Sequence, residues 1–186
     1  MAKTSNKNIG AAVVAPEQTE EEIKKVWENG GIIRRTSTKN VSTLKVKRLS
    51  KEAVLPTKSY KYAAGFDLYA LKAEKIAANG IKAISTGIAV EIPIGFYGQI
   101  FERSGFSLKS TLTRKAGVID SDYRGEIKVI MQNSGAYPET VEAGQKFAQL
   151  VILPIPTLQV EEVEELSNTD RGEKGFGSSD VVNARG

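Results

Sequence analysis

Neither cysteine nor histidine occurs among the 186 residues. Without cysteine there can be no disulfide, no thiolate nucleophile and no Cys-type zinc site. Without histidine, a Ser-His-Asp triad, an H-E-x-x-H metalloprotease site and the zinc site of nucleobase deaminases cannot be built. An enzyme made from this chain draws its general base from Asp, Glu, Lys or Tyr. Any metal it uses is a hard ion held by oxygen atoms.

Long apolar runs are also missing. None approaches the ~20 residues needed to span a bilayer, so no membrane association is expected. The first sixteen residues carry Lys3 and Lys7 but no apolar segment long enough for a secretory signal. No acid precedes Glu17, as in organelle-targeting peptides, but the arginine of such peptides is absent too. Cytoplasm or nucleus is the expected compartment, with organelle targeting by the N-terminus left open. The net charge of +4 is modest, and no dense Lys/Arg stripe appears, so stable nucleic-acid binding is not expected. The mild excess suits a small polyanion such as a nucleotide, without requiring one.

What is present points to one β-rich core. Apolar residues make up 40% of the chain, ordinary for a globular protein, and the length suits a single core rather than two. Six prolines and seventeen glycines favour many short strands over a few long helices. Residues 1–40 read as a polar extension with one short amphipathic helix. Thr19 caps it, Glu22 stands three residues later, Ile23, Val26 and Trp27 share a face, and Gly30 and Gly31 stop it. That helix is open to two readings: docking on its own domain as part of a loose tail, or binding a protein partner through Trp27. From residue 41 apolar runs recur at strand spacing: 43–49, 66–70, 81–90, 96–101, 112–119, 127–132, 147–153 and 157–163. Such spacing predicts an all-β sandwich or barrel over 41–166. Residues 167–186 are polar and glycine-rich and read as a flexible arm.

Five stretches carry polar groups in or beside strands, and each taken alone has an ordinary structural reading. The first could be only a strand entering after a turn, with Asp67 solvated. In Ala63-Ala64-Gly65-Phe66-Asp67-Leu68-Tyr69-Ala70, alternation puts Asp67 and Tyr69 on one face. Glu102-Arg103-Ser104-Gly105 is either an ordinary polar turn or a phosphate cradle, offering a guanidinium, a hydroxyl and unhindered backbone N–H groups. Gly117-Val118-Ile119-Asp120-Ser121-Asp122-Tyr123-Arg124-Gly125-Glu126 reads as a β-hairpin that presents a base, a ring and free backbone groups, or as a hairpin with a charged tip. In Gly144-Gln145-Lys146-Phe147-Ala148-Gln149-Leu150, Gln149 interrupts an apolar run and needs polar partners or a ligand. Arg171-Gly172-Glu173-Lys174-Gly175-Phe176-Gly177-Ser178-Ser179 is either a loose end or a lid whose glycines allow close approach to phosphate.

In order and spacing, these five stretches resemble the five motifs of the homotrimeric dUTP pyrophosphatases (dUTPases), over about Leu44 to Ser179. The third and fifth are the more specific. The resemblance implies a jelly-roll-like β-sandwich, a homotrimer with a swapped C-terminal tail, and active sites shared between subunits. It implies hydrolysis of dUTP to dUMP and pyrophosphate with Mg²⁺, which keeps uracil out of DNA and supplies dUMP for thymidylate synthesis. Asp120 would be the general base that activates the attacking water. Tyr123 would lie against the deoxyribose and exclude a 2′-hydroxyl. Backbone groups of Gly117, Val118, Ile119 and Lys128 would read the uracil edge. Arg103, Ser104, Gly105 and Gln149 would hold the phosphates, and Asp67 would help place magnesium through water. Arg171 would clamp the γ-phosphate, while Phe176, with Gly177 and Ser178 in the arm, would cover the uracil.

The chain departs from the family pattern at several points. Glu102 stands where proline is common, Gln145 and Phe147 replace an acid and an aliphatic residue, and Glu173-Lys174 lies between the glycines of the arm. Residues 1–40 fall outside the resemblance. Two rival readings are a dCTP deaminase of the same fold and an inactive member kept as a nucleotide sensor. The D-Y-R-G and R-G-x-x-G-F-G-S stretches speak against the first. The joint presence of Asp120, Tyr123, Arg103 and Arg171 speaks against the second.

Overall fold

The computed structural model describes residues 43–174 continuously and, ahead of them, residues 13–14, 21, 24–25 and 34–35. Val13–Val14 (β1) and Arg34–Arg35 (β2) form a short parallel pair. Glu21, Lys24 and Lys25 are helical, as the capping pattern predicts, with Lys25 Nζ 3.8 Å from Glu21 Oε1. Ile23, Val26 and Trp27 lie outside the described residues.

The remaining strands are β3 (Lys45–Arg48), β4 (Phe66–Tyr69), β5 (Glu74–Ile76), β6 (Ile81–Ser85), β7 (Ile88–Glu91), β8 (Phe96–Glu102), β9 (Leu112–Lys115), β10 (Val118–Ile119), β11 (Lys128–Asn133), β12 (Glu139–Val141) and β13 (Lys146–Pro154). They assemble in the orders β10-β8-β13-β4, β6-β11-β9, β12-β5 and β3-β7, all antiparallel. This is the jelly-roll-like sandwich that the sequence implies.

Alternation builds the core. Along β11, Val129, Met131 and Asn133 are buried while Lys128 and Ile130 are exposed, so one face of the strand turns inward. Phe147, Leu150, Leu68, Ile84, Ile100 and Leu112 meet Val129 and Met131 in one cluster. Each such side chain contributes about 1.5–3 kcal/mol by leaving water.

Where the strands differ from the sequence pattern, the chain changes sheets. The run 81–90 breaks at Gly87, whose φ of +69° is a conformation that favours glycine. A Cβ there would meet Leu71 Cδ1 at 2.8 Å. The run 112–119 breaks at Ala116 and Gly117, with φ of 56° and 137°. There the chain leaves the β11 partnership of β9 and crosses to β8 as β10. The expected hairpin over 118–132 is accordingly not a ladder: β10 pairs with β8, and β11 pairs with β6 and β9. No strand forms over 157–163, where Leu158 and Val160 are exposed. Hydrophobic spacing does not reveal β5 and β12, three residues each, which pair with one another and bury only Ile76 and Val141.

At the start of β12, Glu139 ties down the loop before β9. Its carboxylate accepts Ser110 Oγ, Thr111 N (2.9 Å) and Thr111 Oγ1 (2.7 Å). Burial works against the charge, but these hydrogen bonds outweigh it and hold the group below the ordinary glutamate value of 4.5. A folded-state pKa lowered in this way stabilises the fold above the unfolded value, and that stability is lost as pH falls through the folded value. The melting temperature of the wild type should therefore fall more steeply below pH 4.5 than that of Glu139→Gln. Parallel melting curves for the two proteins would show that the network contributes nothing.

Candidate active site

Two centres stand on this frame, one just beyond the C-terminal end of β8 and one beside its middle. The first surrounds Asp67. Register places Asp67 on β4 opposite Gln149 on β13, and Gln149 opposite Phe101 on β8. Arg103 follows directly after β8 and turns back, so that Nε donates to Asp67 Oδ1 at 2.7 Å and Nη1 to the Lys146 carbonyl at 3.3 Å. Asp67 Oδ2 accepts Ser59 Oγ at 2.8 Å and lies 2.9 Å from Lys146 Nζ.

Asp67 is only 5% exposed. Burial alone would raise its pKa, but the bonds from Lys146, Ser59 and Arg103 prevail and hold it below the usual carboxylate range. Lys146 is pushed up in turn, chiefly by its hydrogen bond to Asp67. Alternation holds as expected: Lys146 Nζ also stands 5.6 Å from the centre of the Tyr69 ring, so Asp67 and Tyr69 share a face.

Gln149 closes a polar contact, with Nε2 donating to the Glu102 carbonyl at 2.8 Å. It lies so close to Gly65 that a Cβ there would be 2.5 Å from its Oε1, which explains the glycine of the first stretch. After Arg103 the chain makes one helical turn, Ser104–Ser107. Ser104 and Gly105 are exposed on it, and a Cβ at Gly105 would meet nothing within 4 Å.

The departures from the family pattern leave this centre undisturbed. Glu102 points the other way, with Oε2 3.5 Å from Arg114 Nε, as strand alternation predicts. Gln145 Oε1 accepts Glu142 N within a turn, and Phe147 is buried in the core.

The second centre lies where β10 and β11 splay apart to join different sheets. A recess of about 140 Å³ opens between them, lined by Ile100, Gly117, Val118, Ile119, Lys128 and Ile130. A side chain on Gly117 would fill its floor, because a Cβ would come within 3.0 Å of Ile100 Cβ. The Lys128 ammonium is 3.3 Å from Glu126 Oε2, and Glu126 Oε1 accepts Gly87 N at 2.9 Å.

Beyond Ile119 the connection begins with Asp120, exposed, whose carbonyl accepts Tyr123 N at 3.2 Å. Tyr123 is 44% exposed and bends over Gly125, its hydroxyl donating to the Glu126 carbonyl at 3.1 Å. A Cβ on Gly125 would collide with the phenol.

The single chain does not bring the two centres together. Ile119 sits opposite Gly98, and Arg103 lies five residues farther along the same strand (103 − 98). At ~3.3 Å per residue, Asp120 and Arg103 are on the order of 16 Å apart or more. Arg171 joins neither centre among its described contacts: it is exposed, and Nε donates to the Lys174 carbonyl at 2.9 Å in its own turn. Phe176, Gly177 and Ser178 lie outside the described residues.

Two residues that sequence reasoning did not assign, Lys146 and Ser59, complete the grip on Asp67. Lys146 lay within a quoted stretch, but only the pairing of β13 with β4 reveals its target.

The fit to a metal ion is limited. Among the described residues no three His, Cys, Asp or Glu side chains cluster as a metal cage. Direct ligation by Asp67 would displace a donor already seated on it, whereas a contact through water would leave all three in place.

Known proteins resemble this chain in sequence and in fold. The dUTPase family model matches residues 51–180. A deoxyuridine 5'-triphosphate nucleotidohydrolase of Candida albicans is 41% identical over 149 residues, covering 79% of this chain and 94% of its own. The enzyme of the same name from Oryza sativa is 38% identical over 181 residues, covering 97% of this chain and 100% of its own. That alignment takes in most of the N-terminal segment expected to lie outside the resemblance. Among solved structures, the Staphylococcus bacteriophage 80alpha dUTPase with dUPNHPP has a TM-score of 0.71 at 34% identity, covering 75% of this chain and 99% of that one. A mutant dUTPase from phage phi11 of S. aureus, described with a coordinated structural Mg(II) ion, has a TM-score of 0.65 at 29% identity, covering 68% of this chain and 100% of that one. With the motifs, the sandwich and these likenesses in agreement, the chain belongs to the dUTPase family.

Proposed function

We propose that this protein hydrolyses dUTP to dUMP and pyrophosphate, in sites assembled from more than one copy of the chain. One observation carries the reading: a base-sized recess opens beside the middle of β8, and a cationic cradle stands beyond its C-terminal end. Asp120, just past the recess, and Arg103 are on the order of 16 Å apart along β8, so base and cradle do not meet within one protomer. A homotrimer that sets the recess of one chain against the cradle of another resolves this. The exposed Leu158 and Val160 suit a C-terminal segment that crosses to a neighbour.

In the assembled site, uracil enters the recess between β10 and β11. Backbone groups of Gly117, Val118, Ile119 and Lys128 recognise its edge, and the narrow floor at Gly117 limits its size. The Lys128 ammonium, paired with Glu126, stays out of this recognition. Tyr123, held over Gly125, presents its ring to the sugar and leaves no room for a 2′-hydroxyl.

Arg103, Ser104, Gly105 and Gln149 take the phosphates. Arg171 binds the γ-phosphate and the arm carrying Phe176, Gly177 and Ser178 closes the site. Asp120 accepts a proton from water as its oxygen bonds to the α-phosphorus. The bond from the α-phosphorus to the bridging oxygen breaks, and pyrophosphate departs with the electron pair. Positioning and charge neutralisation supply most of the rate, as is usual at phosphorus. Magnesium would neutralise phosphate charge, arriving on the triphosphate and touching Asp67 through water.

The test is pyrophosphate release, with magnesium present, from dUTP, dTTP, dCTP and UTP. Turnover of dUTP should exceed that of each of the others by at least about 100-fold, since each analogue adds or alters a polar or bulky group in a close-fitting site. Ammonia release from dCTP would place the chain with the deaminases instead. Binding of dUTP without turnover would leave a nucleotide sensor.

A further inference from the structure

Within that phosphate cradle, and resting on its assignment, we propose that Lys146 is a positioning residue that sets how Arg103 presents its guanidinium to substrate. Lys146 touches both members of the pair. Its Nζ lies 2.9 Å from Asp67 Oδ2, and its carbonyl accepts Arg103 Nη1 at 3.3 Å. Its ammonium is steadied by the Tyr69 ring, whose hydroxyl is 2.6 Å from Thr57 Oγ1.

The consequence follows from the preference of an arginine beside a carboxylate. The two ordinarily form a bidentate fork that uses two nitrogens and both oxygens. Here Arg103 reaches Asp67 through Nε alone, on Oδ1. Lys146 Nζ and Ser59 Oγ occupy Oδ2 and block the fork. With Nε on Asp67 and Nη1 on the Lys146 carbonyl, Nη2 is the nitrogen these contacts leave for a phosphate oxygen.

Removing the ammonium leaves Ser59 Oγ alone on Oδ2, whose second lone pair is then open, and the guanidinium turns toward the fork. Arg103 then remains folded and charged but is turned away from the substrate. Lys146 lines an open recess together with Arg103, Gly105 and Gln145, so the change is felt where phosphate is proposed to bind.

The test compares Lys146→Met, which keeps length without charge, with Lys146→Arg, which returns donors to Oδ2. Affinities for dUPNHPP and for dUMP are measured by calorimetry at fixed and at varied Mg²⁺, alongside KM and kcat for dUTP. Lys146→Met should weaken dUPNHPP binding and raise KM by about tenfold, the effect of one well-placed charged hydrogen bond. The dUMP affinity, the kcat and the Mg²⁺ concentration at half-saturation should stay within about twofold of wild type. Lys146→Arg should recover most of the loss.

Equal weakening of dUMP and dUPNHPP would mean general damage and overturn the proposal. Unchanged dUPNHPP affinity would overturn it as well. A shift confined to the Mg²⁺ dependence would make Lys146 a guard of a metal post on Asp67 rather than a guide for Arg103. If the wild type bound dUPNHPP no more tightly than dUMP, the cradle assignment itself would fail, and that result is distinct from the other three.

Discussion

Asp120→Asn is expected to lower kcat for dUTP by roughly 10²–10⁴-fold, the range a positioned general base supplies, while dUPNHPP still binds with near-wild-type affinity. The substitution keeps the size and planarity of the side chain and removes only its capacity to accept a proton. Asp120 is exposed at the end of β10, and the contact it makes in the loop is through its main-chain oxygen to Tyr123 N. Losing the charge should therefore disturb neither the loop nor the fold. Steady-state kinetics and calorimetry on the same preparations separate the two effects. Retained turnover would move the base elsewhere, and Asp122, exposed two residues on, is the natural control. A collapse of Asp122→Asn with an intact Asp120→Asn would exchange their roles.

The second large effect is one of assembly. Arg103→Ala should be nearly inactive, since it removes the main cation of the proposed phosphate cradle. It should still fold, because Asp67 keeps Lys146 and Ser59 as partners. Refolding Asp120→Asn chains together with Arg103→Ala chains should restore activity that neither has alone. In the proposed trimer each site takes the β10–β11 loop from one chain and the cradle from another. In an equal mixture, half of the loops and half of the cradles are intact, so about a quarter of the sites in a symmetric trimer carry both. Activity near a quarter of wild type is the expected outcome. No recovery in mixtures shown to contain hybrid oligomers would mean that loop and cradle come from the same chain. The ~16 Å between them along β8 would then have to be bridged by a rearrangement.

Much of the fold can be read from spacing. Alternation and glycine punctuation locate β3, β4, β8, β11 and β13 to within about two residues, because these strands put alternate side chains into a shared core. The errors fall where the periodicity is local but the pairing is not. The run 112–119 is apolar enough to be one strand, yet positive φ at Ala116 and Gly117 sends its second half to another sheet. β5 and β12 are too short to show a period, and each is stabilised by pairing with the other. Residues 157–163 alternate like a strand but have no partner to pair with in one protomer, among the described residues.

The residue types that suit a base, a stacking ring and a phosphate cradle are all visible in the sequence: Asp120, Tyr123, Arg103, Ser104, Gly105 and Gln149 sit in stretches whose polar groups ordinary strands do not need. Their chemistry is a property of the side chains, and their order along the chain is what matches the family. Which of them face one another is not written in that order. Only the register of β4, β13 and β8 seats Arg103 and Lys146 on Asp67, and only the divergence of β10 from β11 opens the recess. Those contacts join residues dozens of positions apart. Their distances depend on how two sheets twist and pack around a common core, which local sequence does not encode.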